Sequence, residues 1–406
     1  MLSTNHPYLL PDLRQLRYGV MPVKWPDGTV ALVLKVTKEA ILAARLRGEL
    51  KVFLFSDPDQ SDRHLGIVTA SFDDHEEPLT VVTALFDGDE LLADVTAALS
   101  QIEFDAYFFD EHDRELMGVR VRNADASRFQ CEVAAATFAP FDLETYGALA
   151  ERLAQRFAIR DAADDLAAFT LTLGERLYPD DLVLYDTRPE AYAFRDAHQH
   201  PAISRLVRED PGPPQERDIA VMLGRVFPAE SIYLNPIRAD TGKELSDVMV
   251  VTDKVMLFIE TKDSPNTAAS LGRTMDRKRL TIQNQIEKAT KQLKRALVYA
   301  QETDGVVIAS RPEPIGVPLA RRQLLGLIVV REMFDHDQVA NSEPVLAMID
   351  ELQLPIMLID YPGLHVVSQN LRTPARFLNA LHDLFDMALE HGRFPRSVWN
   401  GPPLDG

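Results

Sequence analysis

The sequence predicts an α/β protein: a C-terminal half built on a sheet flanked by helices, preceded by an α+β domain and a helical connector. Three observations carry this. Residues 245–251 and 255–259 are short apolar runs separated by the polar Thr252-Asp253-Lys254, the pattern of two strands joined by a tight turn. Residues 280–302 contain neither Pro nor Gly and read as one long helix. Residues 325–331 (LGLIVVR) and 354–360 (LPIMLID) are apolar runs of strand length.

Taken in order, residues 30–36, 51–55 and 79–85 read as strands and 37–47 and 89–99 as helices, giving an α+β domain over about residues 1–140. From 143 to 177 the chain is Ala-rich and reads as helical, so residues 141–207 form the connector. Pro-containing stretches at 187–191 and 208–215 mark a joint before the last domain, residues 208–400. There, 215–227 reads as an amphipathic helix after PGPP, 231–238 as a strand, and 374–391 as a packing helix.

The formal charge is −19 over 406 residues, which argues against a nucleic-acid binder until its placement is considered. Residues 1–200 hold 19 Lys+Arg against 35 Asp+Glu, a balance of −16, and the remainder holds 24 against 27, a balance of −3. The acidity belongs to the N-terminal half. The single Cys131 excludes an internal disulfide and a thiol cluster for Zn²⁺. With no basic-then-apolar leader and no apolar stretch long enough for a bilayer, a cytoplasmic location off the membrane is expected.

Chemistry concentrates around the hairpin. Side chains alternate along a strand, so Glu260 and Lys262 share a face while Thr261 takes the other. Asp247, near the outer end of the partner strand, is expected beside them. Two carboxylates and an ammonium at the edge of a buried sheet are costly unless they hold a cation or one another.

Asp247 and Glu260-x-Lys262, with a helix before and a Gln-bearing helix after, resemble the PD-(D/E)XK nuclease superfamily over roughly residues 211–335. The resemblance implies a restriction-endonuclease-like core, a mixed sheet with the order helix, three strands, helix, strand. Ser246-Asp247 stands where the family commonly has Pro-Asp, which leaves the ligand intact. Asp247, Glu260 and the first-helix acid Glu216 are then implied as ligands of Mg²⁺ or Mn²⁺, and Lys262 as the group that orients water or supports developing charge. Gln285, Lys288, Gln292, Arg295 and Tyr299 recur at spacings of three and four on one helical face. Gln292 is taken as the family's helix glutamine, with Gln285 second. Residues 271–300 carry eight basic and two acidic side chains, and Lys288, Lys291, Lys294 and Arg295 are the expected phosphate contacts. The implied activity is hydrolysis of DNA, in defence against foreign DNA or DNA processing. A homodimer, or a protein partner held by the N-terminal half, is compatible with it. The alternative is a non-catalytic scaffold that keeps the fold and engages a partner through its acidic half.

Other motifs fail. Gly242-Lys243 lacks the upstream glycine of a phosphate loop, and Asp57, Asp59 and Asp62 lack the central glycine and closing glutamate of a calcium loop. His198-Gln199-His200 reads as a polar loop, and Asp335-His336-Asp337 as a capped turn.

Overall fold

The computed structural model describes residues 1–16, 18–57, 60–70, 79–140, 164–179, 182–309 and 313–395. The chain divides into two units. Unit 1 is Met1–Val183 with Arg205–Arg208 and Asn266–Leu271; unit 2 is Leu184–Ser204, Glu209–Pro265 and Gly272–Gly406. Both combine sheet and helix.

Unit 1 begins with helices α1 (Leu2–Asn5) and α2 (Leu10–Gln15). Then come β1 (Gly19–Lys24), β2 (Val30–Lys35), α3 (Lys38–Arg47), β3 (Glu49–Asp57), β4 (Gln60–Ala70) and β5 (Thr80–Ala84). The unit continues with α4 (Glu90–Leu99), β6 (Glu103–Phe109), β7 (Glu115–Asn123), α5 (Ala126–Ala135), β8 (Thr137–Phe138), α6 (Asp164–Ala167) and β9 (Phe169–Arg176). The strands form one sheet in the order β1-β2-β6-β7-β9-β3-β4-β5, with β8 beside β4. The sheet curls until its edges meet, the Val20 N–H of β1 donating to Thr83 Oγ1 of β5 at 2.9 Å. Alternation sorts its faces: Leu32, Leu34 and Phe108 join Ile41 and Val95 in one core, while Ala31, Val33 and Phe109 pack with Leu2 and Leu13. Thr37 caps α3 by accepting the Ala40 N–H, and Asp89 caps α4 by accepting the Leu91 N–H.

The expected helical connector needs correction. Residues 141–163 lie outside the described residues, but Phe169–Arg176 is strand β9, paired between β7 and β3. The Ala-rich signal ends at Ala168, and Phe169-Thr170-Leu171-Thr172-Leu173 then alternates with period two, burying Phe169 and Leu171. Unit 1 therefore extends past the boundary expected at residue 140.

Unit 2 starts with the ribbon β10 (Leu184–Tyr185) and β11 (Ile203–Ser204). Its core elements are α7 (Gly212–Leu223), β12 (Ile232–Leu234), β13 (Val248–Val251) and β14 (Val255–Lys262). The short helix α8 (Ala268–Leu271) belongs to unit 1, and the chain returns through α9 (Met275–Glu302). A second ribbon, β15 (Gly305–Ile308) with β16 (Ile315–Pro318), precedes β17 (Gln323–Val330), α10 (Gln338–Leu352), β18 (Ile356–Asp360), α11 (Tyr361–Asn370) and α12 (Pro374–His391). The main sheet runs β12-β13-β14-β17-β18, antiparallel in its first two pairings and parallel in its last two. It is a mixed sheet, as the sequence led us to expect.

The hairpin forms where expected. Val251 faces Met256, and Thr252 Oγ1 accepts the Lys254 and Val255 N–H groups in the turn. From Val255 to Thr261, β14 is buried throughout, so it has no solvent face. Helix α7 packs on β12–β14, and α9 packs on β14 and β17. Gly326 on β17 makes room for α9, since a Cβ there would meet Leu293 Cδ2 at 3.0 Å. The strand expected over 231–238 is shortened to Ile232–Leu234, because Asn235 turns left-handed ahead of Pro236. No helix among the described residues is long and apolar enough to cross a membrane.

Candidate active site

The register Val248↔Ile259 places Asp247 opposite the step that carries Glu260. Both are buried, at 6 % and 2 % exposure. Asp247 Oδ2 accepts the Thr261 N–H at 2.6 Å and lies 3.4 Å from Lys262 Nζ. The same ammonium lies 3.5 Å from Glu260 Oε2 and donates to the Thr261 carbonyl at 2.6 Å. The three residues picked from the sequence converge, with the ammonium between the carboxylates.

Glu216, from α7, joins this group electrostatically. Its Oε2 accepts from Asn235 Nδ2 at 3.0 Å. Burial, and then the Asp247 charge, push the Glu216 carboxyl up to about 7, while Asn235 and Lys262 pull the other way. Glu260 is pushed up to about 8, first by burial and second by Asp247. Glu244, at the exposed rim, is also raised, by partial burial and then by Asp247. Four acids thus crowd one basic side chain.

No protein-family model matches the chain, and no curated protein matches it.

Among the described residues, no three His, Cys, Asp or Glu side chains are grouped so as to hold a metal ion. The local chemistry nevertheless suits a hard divalent cation. Glu260 Oε2 is buried 3.5 Å from the Lys262 ammonium, and burial first, then the Asp247 charge, hold the Glu260 and Glu216 carboxyls toward the protonated form. Mg²⁺ takes a few carboxylate oxygens and completes its shell with water or phosphate, so Asp247 and Glu260 suffice as a minimum donor pair. Lys262 Nζ lies within ion-pair distance of both carboxylates, the charge neutralisation a cation would otherwise supply.

Of the two helix glutamines singled out in the sequence, Gln285 is the one that contacts the segment just past Lys262. Gln285 Nε2 donates to the Asp263 carbonyl at 3.0 Å and to Ser264 Oγ at 3.2 Å, just past Lys262. Gln292 lies two turns farther along α9, about 10 Å on, its Oε1 buried without a hydrogen-bond partner. The basic residues also divide. Lys288, Lys291 and Arg295 are exposed, Lys291 with Nζ 3.7 Å from Glu287 Oε2, whereas Lys294 Nζ is tied to both Glu351 carboxylate oxygens at 2.5 Å. Sequence reasoning missed Asn235, Glu244 and Gln215, whose Nε2 contacts the Lys262 carbonyl at 3.4 Å. Gln215 immediately precedes Glu216, which was the one available signal for it.

Proposed function

We propose that this chain is a metal-dependent nuclease of the PD-(D/E)XK type, acting on DNA with Mg²⁺ or Mn²⁺. The observation that carries the reading is Lys262 Nζ held 3.4 Å from Asp247 and 3.5 Å from Glu260 at the end of a fully buried strand. The order helix, three strands, helix, strand in unit 2 supports a restriction-endonuclease-like core. A bound divalent ion supplies charge neutralisation at the phosphodiester and lowers the pKa of water. Asp247 and Glu260 are the residues to hold it, with Glu216 beside them. The Thr261 N–H holds Asp247 through Oδ2. Lys262, freed from its ion pairs, is poised to orient the attacking water and to stabilise negative charge as it develops on phosphate. The exposed Lys288, Lys291 and Arg295 suit a polyanionic backbone.

The test is incubation with supercoiled, linear and single-stranded DNA, and with RNA, with and without Mg²⁺ or Mn²⁺. Cleavage should require the ion. Lys262→Ala should lose at least about 10²-fold in rate while substrate binding is kept, as expected for a donor that acts in the transition state. Near wild-type cleavage by Lys262→Ala would reject the mechanism, and no cleavage of any substrate by the wild type would favour the scaffold reading.

A further inference from the structure

Asn235 lies outside the charged set picked from the sequence, yet it contacts that set on two elements. It follows β12 directly, and its backbone is left-handed, with φ +49°. Asparagine tolerates this region better than most residues, but it remains unfavourable for any side chain with a Cβ. Pro236 comes next and narrows the backbone choices at Asn235 further. Such a conformation persists where its surroundings fix it.

Two contacts do so here. The Asn235 main-chain N–H donates to the Asp247 carbonyl at 2.9 Å, one step beyond the Leu234↔Val248 pair of the β12–β13 ladder. Its side-chain Nδ2 donates to Glu216 Oε2 at 3.0 Å. The Oδ1 of the same amide is buried without a hydrogen-bond partner. A buried amide normally satisfies both ends, and an unpaired acceptor is costly. In this arrangement the donor end is committed to the carboxylate at the expense of the acceptor end.

We propose that Asn235 is a positioning residue: bonded through its N–H to the Asp247 carbonyl and through its amide to the Glu216 carboxylate, it ties helix α7 to the segment that carries Asp247, so that both acids serve one cation. The proposal rests on the nuclease reading above. It assigns Asn235 no contact with substrate; its effect passes through Glu216.

The experiment is a double-mutant cycle read by calorimetric Mn²⁺ titration of the full chain, with thermal melts and cleavage kinetics alongside. Asn235→Gly keeps the left-handed backbone at no steric cost and deletes only the amide. Glu216→Gln removes the charge that Asn235 is proposed to place. Asn235→Gly should melt close to the wild type and weaken Mn²⁺ about tenfold or more, the usual cost of losing a group that orients a ligand. Its kcat should fall by a similar factor with KM for DNA unchanged. In the Glu216→Gln background, Asn235→Gly should have no further effect on Mn²⁺ affinity. Wild-type Mn²⁺ affinity in Asn235→Gly, full additivity of the two substitutions, or a large drop in melting temperature would each overturn the proposal and leave the nuclease reading standing. A wild-type protein that binds no Mn²⁺ would overturn the metal reading and this proposal with it, and the first titration distinguishes that case.

Discussion

Asp247 stands among three other carboxyl groups, Glu216, Glu244 and Glu260, each raised first by burial and then by the Asp247 charge. A carboxyl whose folded pKa exceeds its unfolded value keeps its proton longer in the folded state. Its contribution to stability is complete below the unfolded value of 4.5 and is lost as pH rises through the folded values of about 7 and about 8. The protein in EDTA should therefore lose stability between about pH 5 and pH 8, and saturating Mg²⁺ at pH 8 should restore it by mass action. Melting curves across that range check this; a flat profile in EDTA would deny the crowding. Asp247→Asn should flatten the profile and weaken Mn²⁺ binding without unfolding the protein, because an amide oxygen can still accept the Thr261 N–H. Calorimetry showing unchanged Mn²⁺ affinity would remove Asp247 from the ligand set. The charged trio was legible because strand alternation and one apolar hairpin suffice to bring it together. Asn235 and Gln215 were not, because their roles depend on the register of β12 and on the packing of α7, neither of which leaves a compositional mark.

Among the elements, α9 is the one whose sequence and structure diverge in an instructive way. Its buried stripe of Ile282, Ile286, Ala289, Leu293 and Ala300 follows helical spacing. Spacing alone gave no means of telling that Lys294 meets Glu351 on α10, fifty-seven residues away in sequence. Reversing charge at Lys288 or Arg295 should flatten the salt dependence of DNA binding by about one unit per lost contact. Lys294→Glu should change it less, because Glu351 already neutralises that ammonium. Filter-binding isotherms over a range of salt separate the two cases. Gly326→Ala, beneath the same helix, should destabilise the protein by about 1–3 kcal/mol, as overpacking does, since its Cβ would meet Leu293 and Ile356. Urea unfolding measures it. Strands β14, β17 and β18 were readable because burial on both faces makes their sequences apolar throughout. Strands β7 and β9 were not, because Arg120, Arg122 and Glu175 interrupt the apolar pattern on their more exposed side.

At the scale of the whole molecule, unit 1 runs to Val183 rather than to the border expected at residue 140, and the chain crosses between the units more than once. Segments Arg205–Arg208 and Asn266–Leu271 belong to unit 1 although most of the sequence around them belongs to unit 2. Their pairing is specific: Arg208 and Asn266 exchange main-chain hydrogen bonds at 3.1 and 2.9 Å, and Asn266 Nδ2 donates to the carbonyls of Lys38 and Leu206. Residues 1–183 expressed alone should therefore be less stable than unit 1 within the full chain, as hydrogen exchange of the β2 and β6 amides would show. Protection equal to that in the full chain would make the returning segments dispensable. Each unit is assembled from three stretches of sequence, so the chain changes unit five times. For inheritance this means that no single exchange of genetic material delivers one unit whole without the other: the acidic unit and the unit bearing Asp247, Glu260 and Lys262 travel as one block, and neither can be gained or discarded as a cassette.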